Sequence, residues 1–93
     1  MSIDIDEIES LQGSLKGKKS HPKTRQAAEV WINKSVEQIS ERMKQLSETG
    51  DKERMSEEIA NIMVFCISIH SMLEEFYGHR PLAEKIRERV KDS

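Results

Sequence analysis

The stretch Ser56 to Tyr77, SEEIANIMVFCISIHSMLEEFY, constrains this chain most. It opens with paired glutamates and runs into an uninterrupted apolar block from Ile62 to Ile67. A helix with 3.6 residues per turn shows carbon on every side around such a block, so the element is expected to be buried all round. The block is shorter than the roughly 18 apolar residues that a bilayer crossing needs, and Asn61, Ser68 and His70 flank it, so no membrane span is expected. In a chain of 93 residues with only 35% hydrophobic residues, such a helix needs covering surface that one copy is short of. A second copy is therefore expected along it, closing over residues such as Val64 and Ile67.

The rest of the chain also reads as helix. Ile5, Ile8, Leu11 and Leu15 recur at helical intervals behind Asp4 and Glu7, which predicts a short helix over about 5–14. The segment GSLKGKKSHP breaks the pattern as a loop, and Pro22 suits the first turn of a second helix over about 22–48. Ile32, Val36, Ile39, Met43 and Leu46 form the apolar stripe of that helix, with Val30 and Trp31 off it. Thr49-Gly50-Asp51 ends it. A third helix spans about 52–77, Gly78 supplies a left-handed cap, and Pro81 begins a last short helix carrying Leu82, Ile86 and Val90. No segment alternates with period two. The fold class is all-α: one domain, a small helical bundle with two long antiparallel helices and two short ones, completed by oligomerisation. Residues 1–25 form the short helix and basic loop, and residues 26–93 the helical core.

Charged residues make up 34% of the chain but the net charge is −2, which argues against a nucleic-acid or membrane-coating role based on excess charge. The single cysteine, Cys66, excludes an intrachain disulfide and is expected to be a buried small hydrophobe in a reducing, cytoplasmic setting. The first ten residues lack a basic and an apolar region of the secretory kind. Lys16 to Arg25 holds five Lys/Arg and one His with no acid, and it leads into the start of a helix. That arrangement attracts phosphate, but without an interleaved aromatic residue it reads more simply as a solvated loop. His70 is expected to be a hydrogen-bonded interior histidine, and His79 and Arg80 exposed turn residues.

Glu58 and Asn61 stand three apart at the start of the third helix beside Glu57, and Glu37 and Glu41 stand four apart on the second, one turn after Lys34. Carboxylates on two antiparallel helices are the oxygen set that Mg²⁺ requires, and the metal in turn activates water against a phosphoryl group. The simpler alternative is that Glu57 and Glu58 complement the helix dipole while Glu37 and Glu41 form a solvated face.

KSVEQISE, Lys34 to Glu41, resembles the KxxEExxE segment of the all-α nucleotide pyrophosphohydrolases, the group of MazG-type enzymes and phosphoribosyl-ATP pyrophosphatase. EEIANIMVFCISIHSMLEEFYG, Glu57 to Gly78, is similar to their second motif, in which ExxD opens a long apolar helix. The resemblance implies a homodimer or homotetramer, a Mg²⁺ site drawn from Glu37, Glu41, Glu57, Glu58 and Asn61, and a nucleoside triphosphate substrate near Trp31, Lys34 and Gln38. The first ExxE position is Gln38 and the last ExxD position is Asn61, so two of the four carboxylates are amides, which implies impaired or lost activity. The alternative, from a different class, is a non-enzymatic helical regulator, for example of viral or mobile-element origin, that binds a protein partner.

Overall fold

A computed structural model describes residues 5–18 and 21–92, with the side chains of residues 5 and 6 left aside. Four helices follow in order, α1 (Ile5–Lys16), α2 (Arg25–Glu48), α3 (Lys52–Tyr77) and α4 (Leu82–Asp92), and the described residues contain no strand. The all-α class and the two long antiparallel helices are as the periodicity predicts. α1 runs on past Gly13 to Lys16, so the loop is shorter than expected. The second helix starts three residues later than Pro22 because Thr24 is its N-cap, its hydroxyl accepting from the Ala27 N–H at 3.1 Å. Asp51 caps α3 by accepting from the Glu53 N–H at 3.0 Å, and Gly78 closes it at φ 68°.

α2 packs only on α3, whereas α1 and α4 pack on the C-terminal half of α3 and on each other. The tip of the α2–α3 hairpin therefore extends beyond the other two helices. The radius of gyration, 14.3 Å, exceeds the ~12 Å expected of a compact chain of this length.

A single chain leaves α3 partly uncovered, as its shortage of covering surface implies, and the expected burial of Cys66 is corrected. Within one chain α3 is not buried all round: Ile59, Met63 and Val64 are each about half exposed, because one helix lies along this part of it. Cys66 is exposed for the same reason. Val64, about half exposed, lines the α1 side of α3 with Leu15.

The stripe Ile32/Val36/Ile39/Met43 is also not the seam with α3. The seam carries Ala28, Trp31, Ser35 and Arg42, with Ala28 and Ser35 buried, while Val36 and Met43 are 50% and 55% exposed. Ala28 and Ser35 let α3 approach closely, and the bulk at the contact comes from Phe65 and Met72. Val30 is exposed as well. By length and composition α3 is a helix apolar enough to cross a membrane. Of the polar side chains it carries, Glu58, Ser68 and Ser71 are buried, whereas Glu57, Asn61 and Glu75 are exposed.

Two local substitutions test these terminations. Gly78→Ala places a Cβ on a left-handed residue and should cost about 1 kcal/mol, and Thr24→Ala removes a cap for a similar loss. Both are read as a drop in denaturant midpoint with unchanged slope.

Candidate functional site

The acids singled out by the sequence occupy the tip of the hairpin. Glu37, Glu41 and Glu57 are exposed, as are Lys34, Gln38 and Asn61, and Trp31 is half-buried in the seam. Glu58 alone is buried. Arg42 Nη1 donates to its Oε2 at 3.2 Å, and the same guanidinium lies 5.8 Å from the centre of the Phe65 ring. Among the described residues no three His, Cys, Asp or Glu side chains converge on one point. Glu37, Glu41, Glu57 and Glu58 are not gathered into one such group. An open cleft of about 400 Å³ lies beside them, lined by Asp51, Glu53, Arg54, Glu57 and Glu58.

Arg42 follows Ala28 and Ser35 at intervals of seven, so its position on the seam is visible in the sequence as a row of small residues ending in a cation. An apolar-stripe search passes over that row.

The second feature of the hairpin is an uncharged face. Ile32, Val36, Ile39 and Met43 follow on one side of the α2 seam, and Met55, Ile59, Ile62 and Cys66 on one side of the α3 seam. In an antiparallel pair these two stripes fall on the same face of the hairpin, because both are displaced from the seam in the direction of increasing residue number. Val36, Met43, Ile59 and Met63 are each about half exposed there, and Asn33 and Ser40 are the polar residues beside them on α2. Each stripe covers about 17 Å of helix and the pair is roughly 18 Å wide, giving a patch on the order of 300 Å². That lies in the range of the largest apolar patches that single chains expose, which are often functional.

The third feature is a polar node where α1, α3 and α4 meet. Glu74 Oε2 accepts from Gln12 Nε2 at 2.8 Å and from the Leu82 N–H at 3.1 Å, and lies 2.8 Å from His70 Nδ1. Since an ionised carboxylate only accepts, His70 carries its proton on Nδ1. Burial pushes the Glu74 carboxyl up, but hydrogen bonds from His70, Gln12 and Leu82, aided by the charge of His70, outweigh it and hold the group below its ordinary value. His70 is the hydrogen-bonded histidine expected. His79 and Arg80 are exposed, and Arg80 pairs with Glu88 at 2.9 Å. In the basic segment, His21 Nε2 lies 2.9 Å from Glu75 and Pro22 is buried, so the end of this loop is anchored to α3.

Comparison of the chain with family models, with curated proteins and with solved structures finds no match.

Two predictions follow from these contacts. Arg42→Ala leaves Glu58 buried without its partner and should destabilise the fold by about 1–3 kcal/mol, whereas the double change Arg42→Met, Glu58→Leu should recover most of that loss. Chemical denaturation checks both. Because the folded Glu74 carboxyl is depressed, its stabilisation is fully present above the ordinary value of 4.5 and is lost as pH falls below it. Glu74→Gln should flatten that acid limb in thermal scans between about pH 3 and 6.

Proposed function

We propose that this protein is a non-enzymatic helical association module whose working surface is the uncharged face of the α2–α3 hairpin, and that the face pairs with a second copy. The observation that carries this proposal is the half-exposure of Val36, Met43, Ile59 and Met63 on one side of a chain in which, among the described residues, Ala28, Met72 and Ala83 make up the buried hydrophobic core. The face favours its own kind. It presents no charge for an unlike partner to read, and the charges at its two ends, Glu29 and Lys52, are opposite in sign. A two-fold axis across the hairpin lays the tip of one copy over the base of the other and sets Lys52 near Glu29 of the partner subunit.

Magnitudes support a reversible pair. Covering a half-exposed aliphatic side chain contributes about 1 kcal/mol, so the four residues from each copy together supply roughly 8 kcal/mol, with more from Ile32, Ile39 and Ile62. Association costs about 4–15 kcal/mol in lost freedom. With that cost at the lower end of its range and Ile32, Ile39 and Ile62 included, the surplus is about 4–8 kcal/mol, which corresponds to a dissociation constant between roughly 1 mM and 1 μM.

A second function has one observation in its favour: Glu57 and Glu58 open onto the acid-lined cleft at the hairpin tip. A MazG-type Mg²⁺-dependent nucleoside triphosphate pyrophosphohydrolase would use those acids, once Glu58 is released from Arg42, together with Glu37 and Glu41. The amides at Gln38 and Asn61 and the guanidinium at Arg42 weigh against turnover in the chain as it stands.

Analytical ultracentrifugation at about 10 μM to 1 mM should show a reversible dimer, and Val36→Glu with Met63→Glu should give a folded monomer. A monomer for the unmodified chain across that range would overturn the association proposal. A pyrophosphate-release screen over the common nucleoside triphosphates with Mg²⁺ should be negative, while turnover that depends on Glu58 would favour the pyrophosphohydrolase instead.

A further inference from the structure

On the opposite side of α3 from the uncharged face, a half-open cavity of about 140 Å³ lies between the end of α1, Lys18 and His21, and the α2–α3 seam. Its walls are Leu15, Trp31, Val64, Phe65 and Met72, with the buried Ser68 between them. Trp31 and Phe65 stand with ring centroids 6.4 Å apart and planes inclined at 41°, an open angle that leaves an aromatic surface for a third ring. A volume of this size matches a single six-membered ring, since an apolar protein cavity of about 150 Å³ takes up benzene.

The mouth has a definite charge. Among the described residues that line it, Lys18 and His21 are the ionisable ones. His21 is already engaged by Glu75 at 2.9 Å, which leaves its charge compensated when it is protonated. The Lys18 side chain is exposed and makes no hydrogen bond or ion pair among the described residues, and Lys16 and Lys23 add positive charge nearby. An apolar ring-sized chamber with one uncommitted ammonium at its entrance selects a ring that bears a negative group at one end.

We infer that the cavity bounded by Leu15, Trp31, Phe65 and Met72 is a binding site for a small aromatic monoanion, with the ring against Trp31 and Phe65 and the anionic group at Lys18. The site is independent of the association face and does not rest on it.

Trp31 is the single tryptophan of the chain, so its fluorescence reports the cavity directly. Full-length protein is titrated with benzoate, benzyl alcohol, benzylamine and acetate. Benzoate should give a saturable change, benzyl alcohol a weaker one by about fivefold, and benzylamine and acetate none. Lys18→Gln should bring benzoate to the level of benzyl alcohol. Val64→Phe, a change at a half-exposed position that enlarges the wall, should abolish the response to both, with helicity checked by circular dichroism. Absence of saturation with benzoate would overturn the proposal. So would a benzoate response that persists unchanged in Lys18→Gln and Val64→Phe.

Discussion

The rotational setting of α2 against α3 decides what every other residue of this chain does. Ala28 and Ser35, small enough to be enclosed, are buried, and the helix is set with Trp31 against Phe65 and Arg42 against Glu58 in the seam. The alternative setting would put Ile32, Val36 and Met43 in the seam and leave Phe65 with aliphatic neighbours. Close approach through small residues opposite large ones gains dispersion contacts along both helices, and Arg42 gains Glu58 and the Phe65 ring at once. The consequence is an uncharged aliphatic face outside.

The two short helices complete the other side. Glu74 gathers donors from α1, from its own helix and from the first turn of α4, so a single carboxylate orients three elements. Arg25 stacks 4.4 Å from the centre of the Tyr77 ring and ties the start of α2 to the end of α3. These contacts all lie at the base of the hairpin. The tip, with Met43, Met55 and Ile59, has none of them, and this asymmetry is why apolar surface remains exposed at one end and why a ring-sized cavity forms where α1 meets the seam at the other.

Much of the fold was legible because helix signals are local. The Gly78 cap, the span of α3 and the turn at residues 49–51 follow from cap chemistry and from a period that needs no knowledge of neighbours. The start of α2 was misplaced because Pro22 and Thr24 compete as helix-entry signals and the hydroxyl cap prevails. Which stripe of α2 faces α3 was not legible, since hydrophobicity points to Ile32/Val36/Met43 while packing selects Ala28 and Ser35. The acids at Glu37, Glu41, Glu57 and Glu58 were visible as residues, but their grouping depends on that same rotation, which carries Glu37 and Glu41 out to solvent and hands Glu58 to Arg42.

Function in this chain is therefore read best from what the fold leaves uncovered. Arg42 pairs with the one buried acid of the hairpin, Glu58, and beside that pair the hairpin leaves aliphatic surface uncovered. The most direct test of that view is the dependence of thermal stability on protein concentration. If folding and pairing are coupled through the α2–α3 face, the melting temperature rises steadily as concentration increases a hundredfold, by mass action on the dimer. A melting temperature that stays constant over that interval, with a reversible two-state transition, would contradict it.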